Sequence, residues 1–442
     1  MIPAQTETPG RGASSREILA LAVPAFATLV SEPLLLMADS AMVGHLGTGQ
    51  LAALGLAGSV LGIINGLMVF LAYGTTAVVA RRLGAGDIPR ALAGGIDGMV
   101  LGLGLGVVLA AVLQFAAPTV IGWYGAPVAI NDMATGYLRI AACGLPAMLV
   151  MLASTGVLRG LQDTRTPLHV AIGVNVANII LNYLLIYSFG LGLQGSAIGT
   201  LIAQTAAATL LATVVVRGAR RAGTKIRLDV GGVLEAARGG SWLVLRSLWL
   251  QASLAVTMAV AARTGAVGLA SHQVTNSLWS FLCLALDSLA IAAQALVGHE
   301  LGARRPDRVR AIMTRLCWWG IGGGILFGLA LAAVRGLISP VFTPDVAVQQ
   351  LLGTLLLVLA AITPIGGIVF VLDGVLIGAG DAKYLALAGF IACVSYVPLA
   401  LWVNASHAGV VWLWAAYGCY LLVRTVTLVL RARTNAWMRL GA

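Results

Sequence analysis

The chain has 442 residues, of which 59% are hydrophobic and only 10% charged, whereas soluble domains carry roughly a quarter of charged residues. That balance excludes a soluble globular protein and marks a polytopic membrane protein. The net charge of +11 would suit a nucleic-acid partner if it were clustered. The basic residues are instead dispersed in short groups between apolar spans, a pattern of membrane topology, and no nucleic-acid partner is expected.

Residues 1–17 are polar and lack the apolar core and cleavage site of a signal peptide. They are expected to form a cytoplasmic tail ahead of an uncleaved first helix. Runs long enough to cross about 30 Å of hydrocarbon lie near 18–43, 51–79, 92–117, 133–158, 167–188 and 195–217. These six make an N-lobe over 18–217, followed by a polar, basic linker over 218–239. Six more lie near 240–262, 272–298, 311–335, 350–377, 383–403 and 409–431, giving a C-lobe over 240–431 and a tail over 432–442. The predicted fold class is therefore all-α integral membrane, with twelve transmembrane helices in two six-helix lobes.

The first span holds SEPLLLMADSAMVGHLG, with two carboxylates, Glu32 and Asp39, at membrane depth. Intramembrane acids are costly and usually mark ion pathways. Their spacing places both on roughly one helix face, and Pro33 between them removes a backbone hydrogen bond and predicts a hinge. The competing reading has Asp39 reaching the headgroups and Glu32 serving as packing glue.

Most of the 27 basic residues lie at the termini or in the connections after even-numbered spans, as Arg81, Arg82, Arg90, Arg304, Arg305, Arg308 and Arg310 do. Arg139, Arg263 and Arg335 lie toward the other side. The positive-inside rule then places both termini and the linker in the cytoplasm.

The two halves match at one constant offset. Gly47, Leu51 and Ala52 align with Gly265, Leu269 and Ala270; Pro146 aligns with Pro364; Gly156, Gly160 and Asp163 align with Gly374, Gly378 and Asp381. Polar, Gly and Pro matches in one register indicate duplication, and six spans per half make the repeats parallel, with a site expected between lobes. LGLGLG at 101–106 continues a helical run, so it reads as small-residue helix packing and not a nucleotide loop.

The remaining intramembrane polar groups are few. The fifth span carries Asn175, Asn178 and Asn182, the last two sharing a face. Asp287, Asp373 and Arg246 lie in the eighth, tenth and seventh spans, and a structural ion pair with Arg246 competes with a substrate or second-lobe ion site. The two lysines, Lys225 and Lys383, lie outside any GxxxxGK sequence, and no HExxH pattern occurs. ATP is not the direct driver and no enzyme activity is expected, leaving an ion gradient. The five cysteines fall in apolar segments without paired spacing, which makes neither a metal site nor a disulfide framework.

Two six-span repeats, DSAMVGHLG closing the first span and LGA after the second and eighth, resemble the multidrug and toxic compound extrusion (MATE) family. LRSLWLQ, ALDSLA and LDGVLIGAGD resemble its DNA-damage-inducible F (DinF) branch. The resemblance runs from about Ile18 to Arg433 and implies the MATE/MOP fold, with pseudo-two-fold symmetry. It implies cation coupling through Asp39 and a polar cluster at Asn178 and Asn182, where some members carry an acid, and it matches Asp287 and Asp373 to branch motifs. The expected function is proton-coupled antiport of amphipathic cationic compounds by a monomer in the inner or plasma membrane. Its partners are small amphipathic molecules and the lipid bilayer, with no cofactor beyond a coupling ion, H+ or Na+. The alternatives are a sodium-coupled antiporter, a lipid-precursor flippase, disfavoured by the scarcity of intramembrane bases such as Arg246 and Arg424, and a non-transporting receptor or scaffold.

Overall fold

The computed structural model describes residues 14–224 and 229–441. Residues 1–13 of the expected N-terminal tail, 225–228 of the linker and the last residue of the C-terminal tail fall outside the described residues. The described residues form fourteen α-helices and no strand. They are α1 (Ser15–Gly44), α2 (Thr48–Met68), α3 (Phe70–Gly84), α4 (Ile88–Gly122), α5 (Val128–Ala142), α6 (Leu145–Gly160) and α7 (Arg165–Tyr183). After a π-helical turn, Leu184–Ser188, follow α8 (Gly192–Arg221), α9 (Val230–Ala261), α10 (Gly265–Gly302), α11 (Pro306–Phe342), α12 (Val346–Gly378), α13 (Ala382–Ala405) and α14 (Val410–Arg433).

Hydrocarbon offers the backbone no hydrogen-bond partner, so apolar runs of this length fold as helices. Among the described residues, 11 helical stretches are long and apolar enough to span, with α2 and α3 counted together. The pair α5 and α6, bent by 50°, brings the number to 12. The chain is an all-α, multi-pass membrane protein.

The helices group into two compact units, one of Val23–Val244 and one of Met1–Ala22 with Leu245–Ala442. In the first, Val43, Leu113, Ile121, Leu138, Leu145 and Ile186 are core residues. In the second, Trp279, Leu355, Leu359, Tyr396, Trp414 and Tyr420 fill that place. Apolar burial gains little between helices surrounded by lipid, so close approach at small residues and buried polar bonds hold them.

The duplication is visible as repeated helix crossings inside each unit. A Cβ on Gly106 of α4 would strike the backbone of Pro146, and one on Gly324 of α11 would strike the backbone of Pro364. Likewise Gly156 lies against Ala72 and Gly374 against Ala290, while Gly160 lies against Thr76 and Gly378 against Gln294. All three crossings keep the sequence offset of the repeat. The LGLGLG run thus serves helix packing through Gly102 and Gly106. Gly47 and Gly265, also matched, precede or begin the second helix of their units at φ 143° and 85°, values that L side chains rarely adopt.

Three segments differ from the sequence expectation. The fourth span is not one helix: it breaks at Cys143–Gly144, between α5 and α6. Pro146 withholds a backbone donor there, yet its counterpart Pro364 lies within the unbroken α12. The register partner of Gly144 is Ile362, so the break follows from glycine and proline acting together. The linker is largely helical, because α8 runs to Arg221 and α9 starts at Val230. Gly240 packs closely on Phe70 and Gly232 on Asp97, and this packing supports helix in a polar stretch. Finally, the second span divides at Val69 into α2 and α3, while α1 is helical through Pro24 and Pro33, a hinge at Pro33 being compatible with that.

Candidate functional site

Asp39 lies in the last turns of α1 and is buried, with 6% of its surface exposed. Its Oδ1 accepts hydrogen bonds from Ser196 Oγ at 2.7 Å and from Asn182 Nδ2 at 3.0 Å. Asn182 Nδ2 also donates to Asn178 Oδ1 at 3.1 Å, and Asn178 Nδ2 reaches Thr200 Oγ1 at 3.4 Å. The buried Tyr137 phenol of α5 stands beside the Ser196 and Thr200 hydroxyls. Four helices, α1, α5, α7 and α8, therefore converge on one carboxylate.

Local sequence explains the convergence. Gly195 of α8 sits directly on the Leu185 and Ile186 backbone, and a Cβ on Gly199 would strike Asn182 Oδ1. This pair, one turn apart, lets α8 approach α7 closely enough for Ser196 and Thr200 to join the network. The π-helical turn starts two residues after Asn182, and its Tyr187 hydroxyl donates to the Met42 carbonyl at 2.7 Å. Such turns widen a helix locally and are frequent at functional sites. A second tie, Asn175 Nδ2 to the Ser31 carbonyl at 3.2 Å, holds α7 along α1.

No Lys or Arg forms an ion pair with Asp39 among the described residues. Asn182 Oδ1 is buried and without a hydrogen-bond partner. Glu32 stands apart from this network. It is exposed, and its Oε1 accepts from Asn65 Nδ2 of α2 at 3.2 Å. Pro33, also exposed, lies between the two acids and deprives the Leu29 carbonyl of its intrahelical donor.

The other unit builds a different cluster. Asp373 of α12 is buried and bridges two guanidinium groups: Arg246 Nη2 of α9 at 2.7 Å and Arg424 Nη2 of α14 at 2.5 Å. Arg424 Nη1 meets the Tyr420 hydroxyl at 3.4 Å, and Tyr420 stacks on Tyr417 with centroids 5.4 Å apart. Arg246 is thus paired with Asp373. Asp287 of α10 is half-buried near Cys283.

The MatE family model matches residues 24–184 and 243–402. The chain belongs to this family. Protein DETOXIFICATION 44, chloroplastic, of Arabidopsis thaliana is 28% identical over 98% of this chain and 85% of its own. DNA damage-inducible protein F of Escherichia coli K12 is 28% identical over 94% of this chain and 91% of its own, in keeping with the DinF-like motifs. The bent form of the Vibrio cholerae MATE transporter VcmN superposes with a TM-score of 0.85 at 22% identity, covering 96% of this chain and 98% of that one. The fold is the MATE fold.

For a MatE protein the two units offer unlike chemistry. The Asp39 cluster surrounds one carboxylate with neutral donors and carboxamide and hydroxyl oxygens, so it has room to exchange a proton or a small hard cation. The Asp373 carboxylate is already bonded to two guanidinium groups and offers little to a passing cation. Sequence reasoning brought Asp39, Asn178 and Asn182 together and named Arg246 and Asp373. It missed Ser196, Thr200 and Tyr137, for which the Gly195 and Gly199 spacing is the available signal. It also left Arg424 unassigned and Asn65 unnoticed.

Proposed function

We propose that this MATE transporter is a proton-coupled antiporter that exports amphipathic organic cations, with Asp39 carrying the proton. The observation behind the reading is the environment of Asp39: a buried carboxylate bonded by Asn182 and Ser196 and by no cation. With asparagine at both 178 and 182, one of which is an acid in some family members, the cluster keeps a single carboxylate. One negative charge suits one proton better than a desolvated metal ion.

Protonation changes the bonding of α1 to its neighbours. Hydrogen bonds to an ionised carboxylate are roughly twice as strong as neutral ones, so neutralising Asp39 weakens the ties to α7 and α8 by on the order of 2 kcal/mol in total. A protonated Asp39 also becomes a donor, and the unpartnered Asn182 Oδ1 provides an acceptor in the same cluster. The loosened segment adjoins Pro33, where α1 lacks a backbone bond, so bending of α1 is the mechanical consequence. A membrane potential of 100 mV supplies about 2.3 kcal/mol per inward charge. The charge pattern supports cytoplasmic termini, and hence proton entry from outside.

Sodium coupling is the second reading. It is favoured by the oxygen atoms of Asp39, Asn178, Asn182 and Thr200 in one place, a donor set that a hard cation accepts. Substrate efflux from proteoliposomes under an imposed pH gradient, with and without a sodium gradient, separates the two. The proton reading expects efflux to follow the pH gradient alone, and sodium-driven efflux without it would overturn that reading.

A further inference from the structure

Proton exchange at Asp39 leaves Glu32 without a role. At 1.5 Å rise per residue Glu32 lies about 26 Å from the start of α1 and about 18 Å from its end, deep within the hydrocarbon thickness. It is accessible to solvent yet set among many protein atoms, as a side chain lining a concavity is. An unpaired carboxylate facing acyl chains is very costly, so intramembrane acids face protein or a water-filled cavity. The accessible surface of Glu32 belongs to such a cavity. Its Oε1 accepts one hydrogen bond, from Asn65 Nδ2 at 3.2 Å, and no Lys, Arg or His forms an ion pair with it among the described residues. Asp39, by contrast, is enclosed and has two donors.

The wall beside Glu32 is bare. Gly58, Gly62 and Asn65 follow at four- and three-residue spacing and share one face of α2. A Cβ added to Gly58 or Gly62 meets nothing within 4 Å, so open space adjoins Asn65 along that helix. The Asn65 amide that holds Glu32 also presents a carbonyl oxygen, a second acceptor beside the carboxylate. On α1, Leu36 lies one turn from Glu32 and is exposed, which gives the space an apolar side.

We propose that Glu32 anchors the positive charge of the exported compound, with Asn65 orienting the carboxylate and the bare glycine face of α2 receiving a flat ring system. The inference rests on the antiport reading above and adds the residue that recognises the cation. A charged nitrogen beside Glu32 is attracted at short range and at a depth where screening is weak. A neutral compound of the same shape gains only the apolar contact. One carboxylate and one carboxamide are too few oxygens to replace the hydration shell of a small metal ion, so the site selects planar organic cations of single charge. The two acids of α1 then divide the work: the enclosed Asp39 takes the proton and the open Glu32 takes the organic cation.

Binding of N-methylacridinium and of acridine to the purified full chain in detergent, read by dye fluorescence anisotropy, tests it. The two dyes share one ring system, and at mildly alkaline pH only the first is charged. Wild type should bind N-methylacridinium at least tenfold more tightly than acridine, and Glu32→Gln should bring the two to equal affinity. Glu235→Gln, which removes the same charge from an exposed position near the start of α9, should keep the preference. A preference kept in Glu32→Gln would overturn the Glu32 site and leave cation export standing. A wild type without preference for the charged dye, one that binds neither included, would overturn the cationic substrate class and the site with it. If Glu32→Gln does not yield monodisperse protein, wild type alone decides. N-methylacridinium should protect Glu32 from dicyclohexylcarbodiimide, read by peptide mass spectrometry, and acridine should not. Equal protection by both dyes, protection by neither, or a Glu32 that the reagent never reaches would overturn the proposal.

Discussion

Asn182 Nδ2 stands 3.0 Å from Asp39 Oδ1, and that bond joins α7 to α1 at the buried acid. Asn182 is an amide, so it can hold the carboxylate without competing for its proton. Replacing it by an acid changes this relation. In Asn182→Asp two carboxylates face each other, and such a pair holds either one shared proton or a cation. The variant should therefore gain efflux driven by a sodium gradient, read in proteoliposomes against wild type, which should show none. A variant as indifferent to sodium as wild type would contradict the role given to the amide.

Gly199→Ala tests the packing that places the network. The new methyl collides with Asn182 Oδ1, so either α8 or Asn182 must move. Overpacking of this kind costs about 1–3 kcal/mol. A lowered melting temperature in detergent, together with reduced efflux, is expected. Gly218→Ala on the same helix, where a Cβ meets nothing within 4 Å, should change neither.

Asp373 acts as a strut in this account. Asp373→Ala leaves Arg246 and Arg424 buried without their partner, and breaking a buried pair in this way costs about 3–5 kcal/mol. The variant should be strongly destabilised in a thermal melt. The triple change Asp373→Leu, Arg246→Met and Arg424→Met removes all three charges and should recover most of the lost stability. Full stability of Asp373→Ala would count against the strut.

Much of this was legible in the sequence, for physical reasons. A charge or carboxamide is conspicuous in an apolar span, so Asp39, Asn178, Asn182, Arg246 and Asp373 could be read directly. Ser196, Thr200 and Tyr137 could not, because hydroxyl side chains are ordinary in membrane helices and bond their own backbone, as Thr205 does to the Leu201 carbonyl. The partner of Arg246 was open while Asp287 and Asp373 were equal candidates, and packing against Arg424 favoured Asp373. Glu32 and Asp39 looked like a pair by periodicity, yet their neighbours differ: Asn65 of α2 for one, α7 and α8 for the other. Pro146 and Pro364 looked equivalent, and the glycine at 144 separated their outcomes.

The central claim is that Asp39 carries the coupling proton, and Asp39→Asn tests it most directly. The amide keeps size and hydrogen-bonding capacity without a titratable proton, and it is no harder to bury than the acid. The measurement is substrate-induced proton flux in proteoliposomes loaded with a pH-sensitive dye, with wild type and Asp39→Asn reconstituted at equal density. The account predicts a protein that folds and reconstitutes normally, with substrate-induced proton flux lowered to the level of empty liposomes. Wild-type flux in Asp39→Asn would contradict it and move the coupling role away from this cluster.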